Sequence, residues 1–549
     1  MVHTDPGSAE PPKVPGGALL RTYRAGDEQA WADIINTTDM GGDYDVAKVR
    51  SSLTGKPQFR PEGLFLACDA QTGKPLATAC AWRAFFCGRE RPTLHMVAAR
   101  PEARGRGLGK LVCGAVLHYF GRQGKREVIL TTDDHRLPAL ATYLGLGWLP
   151  MRYVRGEDHA GRWEQAFKRL SGKVGAPRYA GCGRPVTVAV FGLRRGADLA
   201  AHARDHAAGR VVAGCDKDHA LRERFAARFA DAQTVAEYDA LLETHSEAVI
   251  VANDCPDHAA AAIQALAAGR DVLSEVTAFH RPEEGPALIE AVEGSGRAYM
   301  MGENCLYSNA MMELADRARQ GVLGELQYAE GDYVHDVRPL MAAGGEGHWR
   351  RSLPALHYCT HPLGPILRAA GVRPVRVLGM HARALTDSPH RGASMGAMLI
   401  QTSGGAAVRI LAGFAVQREP PSLWVCYYGT RASLETDRWQ DKVYLYDPQA
   451  GQAAGPVCFR PTGRDGRSHT TAGHFGADAR MMEYWLESLA NGLGSPIDVY
   501  EAADMTLPGI LGELAAGRGG GPIRVPDVRK PEERHLLRDP RLLDEAGAP

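Results

Sequence analysis

"VTVAVFGLRRGADLA" (Val186–Ala200) runs as an apolar segment into Gly192, then resumes as a helix-like pattern. A short apolar strand, a glycine turn and a helix form the usual entry to a dinucleotide site. Compared with G-x-G-x-x-G/A, Gly192 supplies the tight turn and Ala197 the third position, while Arg194 replaces the glycine that lets backbone approach a pyrophosphate. Gly196 offers a rearranged turn in compensation. Asp216 closes the next strand, "RVVAGCD", roughly 20 residues on, where a carboxylate accepts hydrogen bonds from a ribose and repels a 2′-phosphate. The pattern therefore favours NAD over NADP.

Working outward, "EAVIVAND" and "DVLSEVT" repeat the strand–helix unit up to Tyr299. All-apolar strands of this kind predict a parallel sheet covered on both faces. Beyond Met300 the pattern lengthens. "MGAMLIQTSGGAAVRILAGFAV" reads as two strands around a Ser-Gly-Gly turn, and "SLWVCYYGTRASLETD" with "KVYLYDP" as two more, so an open, mostly antiparallel sheet is expected. Upstream, residues 18–170 alternate strand-like and helix-like runs of a separate α/β domain. "SGKVGAPRYAGCGRP" (171–185) is the expected linker, residues 1–17 a disordered lead and 528–549 a charged tail.

With 549 residues, more than one core is required. Lys+Arg and Asp+Glu both number 64, so no net charge draws the chain to nucleic acid or an anionic membrane. No apolar run reaches the ~20 residues of a membrane span. Eleven scattered cysteines lacking any CxxC pair read as reduced thiols in a cytoplasm.

The front domain carries "LHMVAARPEARGRGLGKLVCGAVLHYF", in which Arg104, Gly105, Arg106, Gly107, Leu108 and Gly109 spell R-x-x-G-x-G between a strand and a helix. Glycines admit a ligand to the backbone, and the free N–H groups of a helix start bind an anion. This stretch resembles the GNAT acyltransferases, whose loop holds the acetyl-CoA pyrophosphate. "LTTDDHRLPALATYLGLGW" is similar to the segment bearing that family's tyrosine, which places Tyr143 as the acid that protonates the departing thiolate. An amine acceptor is the implied co-substrate.

Residues 186–527 resemble the Gfo/Idh/MocA oxidoreductases, carried by "AVIVANDCPDHAAAAIQALAAGRDVLSEVTA" and "PIRVPDV". The resemblance implies a Rossmann domain (186–300) followed by a substrate and oligomerisation sheet domain (301–527). It places Gly192, Arg194, Asp216, Asn253, His258 and Glu275 around NAD. That family's Glu-Lys-Pro becomes Glu275-Val276-Thr277, without its lysine. The branch typified by NAD-dependent α-N-acetylgalactosaminidase carries Glu-Val-Pro, and "GENCLYSNAMMELADRARQGVLGELQYAEGDYVHDVR" and "HYCTHPLGPIL" also look like it. By resemblance Tyr333, His335 and His361 surround a sugar, with Asn304, Tyr307 and His357 as further substrate contacts. Tyr333 and His335 lie two apart on a strand and so share a face. His357 and His361 have the i, i+4 spacing of a metal pair, but no third ligand follows, and no metal is expected.

The expectation is a bifunctional enzyme of GNAT α/β, Rossmann parallel-sheet and open α+β sheet architecture, using acetyl-CoA and NAD on an amine, amino sugar or cyclitol. It forms homo-oligomers through its C-terminal sheet. Redox-neutral oxidation with elimination or hydrolysis stands beside net dehydrogenation, and beside a sensor with vestigial sites.

Overall fold

The structure is a computed structural model describing all residues except 41, 171–177, 385–387, 419, 440–441, 449–455, 462–473, 475, 540 and 546–549. The chain divides into two compact units, Met1–Pro185 with Glu487–Gly494, and Val186–Leu486 with Ser495–Pro549.

Unit 1 is built on β1 (Val2–His3), β2 (Ala18–Thr22), β3 (Leu64–Asp69), β4 (Pro75–Phe86), β5 (Arg89–Ala99) and β6 (Val128–Ile129), with a small hairpin of β7 (Tyr153–Val154) and β8 (Glu157–Asp158). Six of these form one sheet in the order β1-β6-β5-β4-β3-β2. Alternation along β3 sends Leu64, Leu66 and Cys68 to a core with Trp31, Ile34 and Ile35 of helix Glu28–Ile35. The opposite face packs Ala77, Ala79 and Leu94 against Leu108, Leu111, Val112, Val116 and Phe120 of helix Leu108–Arg122, residues spaced to form one helical stripe.

Two features of this sheet shape its middle. Met96 has φ 51°, and the β4/β5 register slips between the pairs Thr78↔Ala98 and Cys80↔His95, the mark of a β-bulge. Strand β5 meets β6 in parallel at a single pair, Thr93↔Ile129, so the sheet opens past that rung.

The expected disordered lead is ordered instead. Val2 and His3 pair antiparallel with Ile129 and Val128, and Asp5 accepts from the Ser8 N–H in a following turn. Its polar, proline-rich composition concealed two apolar anchors, Val2 and Pro6, both buried. Of the expected linker, residues 171–177 lie outside the described residues, while Ala180 is fully buried and its N–H donates to the Pro150 carbonyl at 2.9 Å.

Unit 2 begins with β9 (Val186–Phe191), β10 (Gly209–Cys215), β11 (Gln233–Val235), β12 (Ala248–Val251), β13 (Asp271–Ser274) and β14 (Tyr299–Met301). They make one sheet ordered β11-β10-β9-β12-β13-β14, parallel at every pair. The order reverses between β9 and β12, which opens a crevice at the carboxyl ends of those strands. Gly192 sits there with φ 89°, and a Cβ on it would lie 2.4 Å from the Ala252 carbonyl oxygen, so only glycine fits.

The second sheet contains β15 (Leu326–Val334), β16 (Pro374–His381), β17 (Met395–Thr402), β18 (Ala407–Gly413), β19 (Ser422–Gly429), β20 (Ser433–Thr436), β21 (Val443–Tyr446), β22 (Val457–Phe459) and β23 (Ile523–Arg524). Its order is β22-β21-β20-β19-β15-β18-β17-β16-β23, with only the β15/β18 pair parallel. Helix Thr360–Ala370 lies close on β15, since a Cβ on Gly331 would come within 2.8 Å of Pro362. The described part of the expected tail docks: Arg534 is buried and pairs with Glu293 at 2.6 Å.

The lead gives a direct test. A Cβ at Gly121 would stand 2.1 Å from the Pro6 carbonyl oxygen. Gly121→Ala should cost about 1–3 kcal/mol in overpacking, more than the ~1 kcal/mol a helical alanine gains over glycine. The expected result is a lower Tm and faster tryptic cleavage after Lys13 than in the parent protein.

Candidate active sites

In unit 1 the R-x-x-G-x-G loop leads into helix Leu108–Arg122 with Gly105 and Gly107 at φ 75° and 74°. No side chain caps the helix start, and a Cβ on Gly105 or Gly109 would meet nothing within 4 Å. The open backbone suits an anion such as a pyrophosphate. Arg104 is exposed, whereas Arg106 is drawn toward Asp69 at 3.4 Å and the Gly17 carbonyl at 3.3 Å. Tyr143 is buried beside Trp148, and burial, with Cys113 a smaller cause, pushes its phenol above the ordinary range. Burial thus keeps the phenol protonated while making it a weaker acid than a free tyrosine.

In unit 2 the dinucleotide turn is tied down by its own predicted acid. The Leu193 N–H donates to Asp216 at 2.9 Å, and the Asp218 N–H to its other oxygen at 3.0 Å. Asn253, at the end of β12, keeps its Oδ1 buried without a partner. That orphaned acceptor beside the Gly192 turn fits a group supplied by a bound nucleotide. Arg194 is exposed at the turn, and its neighbour Arg195, which the motif comparison passed over, is the engaged residue. Arg195 donates to Glu275 at 2.8 Å and, through both terminal nitrogens, to Asp478 at 2.8 Å. Asp478 also accepts from Asn304 at 2.7 Å and pairs with His474 at 2.9 Å. Against the cost of burial, His474 and Arg195 hold the Asp478 carboxyl far below its usual range.

The sugar-pocket residues sort into two groups. Tyr333, at the end of β15, shares a 3.1 Å hydrogen bond with His335 Nδ1 and meets the His361 ring edge-on at 4.6 Å between centroids. His361 Nδ1 donates to Glu303 at 2.7 Å, and both residues are buried. Burial opposes charge on this pair, but each partner outweighs it for the other: His361 is raised and Glu303 lowered, so the pair is ionic. Burial first, then Tyr358, raises the Tyr333 phenol well above its usual value. Tyr358 stacks on Tyr333 at 6.0 Å and meets the His361 ring edge-on at 5.5 Å; it went unnoticed in the sequence because it sits at the kink, where helical spacing does not report which side chains meet.

The remaining expected contacts lie elsewhere. Tyr307 is fully buried, its hydroxyl accepting from Arg368 at 3.2 Å, so it belongs to the core. Asn304 braces Asp478. His357 faces His280 at 3.2 Å, where burial pushes its imidazole down to about 3. The kink between the 3₁₀ turn Ala355–Cys359 and helix Thr360–Ala370 separates it from His361. His258 is buried with its ring nitrogens 3.1 Å from the Thr277 carbonyl and 3.2 Å from that of Asn253, which makes it a brace for the cofactor loops. A metal-capable trio does exist, but around a different pair: Glu303, Cys305 and His361 bring donor atoms within 4.8 Å of one another.

Comparison with known proteins places both units. Residues 33–148 match the acetyltransferase (GNAT) family, and residues 186–303 match the Gfo/Idh/MocA oxidoreductase family's NAD-binding Rossmann fold. The chain is thus an enzyme carrying a GNAT-family domain and a Gfo/Idh/MocA-family domain. Among its relatives is the glycosyl hydrolase family 109 protein 2 of Phocaeicola vulgatus, 27% identical over 322 residues, or 51% of this chain and 77% of that one. The α-N-acetylgalactosaminidase of Bacteroides fragilis is also 27% identical over 322 residues, covering 51% and 75%. A family 109 protein of Saccharopolyspora erythraea is 26% identical over 425 residues, covering 69% and 88%. The fold is shared with an inositol dehydrogenase homolog of Azotobacter vinelandii solved with NADH and myo-inositol, with a TM-score of 0.53 at 19% identity, covering 62% of this chain and 98% of that one. Levoglucosan dehydrogenase with NADH and levoglucosan gives 0.55 at 16%, covering 62% and 100%. No helix among the described residues is long and apolar enough to cross a membrane.

Removing the Arg195 side chain leaves Asp478 and Glu275 without their shared cation. Breaking a buried pair from one side costs about 3–5 kcal/mol, so Arg195→Ala should lower the urea midpoint by that equivalent. NAD affinity, measured by calorimetry on whatever fraction remains folded, should fall with it.

Proposed function

We propose that unit 1 transfers an acetyl group from acetyl-CoA to an amine, and that unit 2 processes an amino-sugar derivative by a redox-neutral cycle on NAD that it retains. Two features support the first part: the uncapped glycine loop, and the edge of β5 left unpaired beyond Thr93, which offers backbone groups to an extended amide chain such as pantetheine. The observation that carries the second is the coupled Tyr333–His335 and His361–Glu303 pairs, which meet where the Tyr333 and His361 rings touch.

NAD, when bound, supplies a hydride acceptor that can later return what it took. The chain's residues handle the protons. The Tyr333–His335 relay removes the proton of the C3 hydroxyl as that carbon is oxidised, and the resulting carbonyl acidifies C2–H. Once the relay has passed that proton to solvent, it takes the C2 proton as well; the anomeric substituent leaves, and His361, held by Glu303, protonates the departing oxygen. Water adds back and the steps reverse, with no net redox change. The relatives named as family 109 hydrolases favour this cycle, as does Val276 where a dehydrogenase of the family would carry lysine. An N-acetyl group made by unit 1 would suit a 2-acetamido sugar handled by unit 2. Free cysteines throughout accord with a cytoplasmic protein.

Self-association through the outer face of the nine-stranded sheet belongs to the same reading. Met380, Leu399 and Tyr428 stand exposed on strands of that sheet.

Incubation in D₂O with 2-acetamido glycosides and no added nucleotide should place deuterium at C2 with no net NADH. Tyr333→Phe should reduce that exchange by roughly 10²–10⁴-fold. A keto product formed only with added NAD, with stoichiometric NADH, would make unit 2 a net dehydrogenase.

A further inference from the structure

Acyl transfer to an amine needs a base, because the nitrogen gains positive charge as it bonds to the thioester carbonyl. Unit 1 contains five histidines, His3, His95, His118, His135 and His159, and four are occupied. His3 Nδ1 accepts from the Asp5 N–H at 3.4 Å, His118 bonds the Ala9 carbonyl at 2.8 Å, His135 pairs with Asp39 at 2.8 Å, and His159 meets the Val154 carbonyl at 3.2 Å. His95 makes no hydrogen bond with any described residue, yet it is only partly exposed. Its ring is held by stacking on Trp82 of the neighbouring strand, centroids 5.4 Å apart and planes 27° from parallel.

Its position gives the free imidazole a purpose. His95 stands two residues past Thr93, the last residue of β5 to pair with β6, and immediately before the bulged Met96. Beyond that rung the strands share no ladder pair among the described residues, and the same strand runs on from His95 toward the glycine loop. Burial pushes the His95 imidazole down to about 4, so the ring is neutral in the free protein and takes a proton only from a nitrogen that has become cationic on bonding to carbon.

We propose that His95 is the catalytic base of the acyl-transfer site. The amine nitrogen bonds to the acetyl carbonyl carbon, His95 takes the nitrogen's proton, and the carbon–sulfur bond breaks to release CoA thiolate. The thiolate takes a proton from Tyr143 or water, and His95 returns its own to solvent. The products are the N-acetyl amine and CoA. The proposal rests on the acyltransferase reading of unit 1.

The test uses the full-length protein with acetyl-CoA and either glucosamine or methoxyamine, products quantified by mass spectrometry, and acetyl-CoA binding measured in parallel. His95→Gln should lower kcat with glucosamine by roughly 10²–10⁴-fold while leaving the acetyl-CoA Kd unchanged. The loss should be smaller with methoxyamine, whose weakly basic nitrogen sheds its proton more readily once bonded to carbon. Added imidazole should restore turnover in His95→Ala at least about tenfold. Parent-like turnover in His95→Gln would overturn the role of His95 while leaving acyl transfer intact. So would a rate loss that follows lost acetyl-CoA binding and resists imidazole, since that marks a purely structural ring. If the parent protein binds no acetyl-CoA and acetylates neither amine, the acyltransferase reading fails and the base falls with it.

Discussion

The guanidinium of Arg195 is the tie on which unit 2 depends. One side chain at the start of a helix reaches the end of β13 through Glu275 and a distant helix through Asp478, which lies in the chain nearly three hundred residues later. Buried carboxylates would repel one another and the medium without it, so the cation decides where three segments meet. Asp478 is also gripped by Asn304, whose neighbour Glu303 holds His361. Two consecutive residues thus face opposite duties, one anchoring the nucleotide turn and the other charging the pocket where Tyr333 waits. The Tyr333–His361 cluster and the glycine turn share one electrostatic scaffold.

The two units solve a common problem with different backbone devices. Each turns its main chain into a helix at a glycine loop, and each uses glycine at positive φ to do so. Unit 1 leaves its glycine loop open and its helix start uncapped. Unit 2 instead packs Gly192 directly against the backbone of Ala252 and tethers the turn with Asp216. The first arrangement leaves room around a ligand, and the second is preformed around its own hydrogen bonds. The missing second glycine at Arg194 is consistent with this, because the turn is held by strand backbone and by Arg195.

Much of this was legible in the residues. All-apolar runs marked the parallel sheet, whose strands are covered on both faces, and strand-like runs between turns and helices marked the other two. The pairing of Tyr333 with His335 was also readable, since two residues apart on a strand must share a face. The i, i+4 spacing of His357 and His361 misled for a physical reason: helical spacing implies a shared face only where the helix is continuous, and a kink intervenes. The resemblance placed Tyr307 and Asn304 at the pocket, but in the 3₁₀ turn Asn304–Tyr307 one braces Asp478 and the other is buried against Arg368. The lead was misjudged because order there comes from an edge of another strand, which composition does not report.

Local pattern by itself determined the element types and the glycine turns, since these depend on backbone sterics and on spacings within some thirty residues. Only the tertiary structure decided which charges meet. Arg195 with Asp478, His361 with Glu303, and His95 on Trp82 at the opening of the front sheet are long-range or cross-strand encounters. Their chemistry comes from desolvation and from the partner found, and neither quantity exists until the chain has folded.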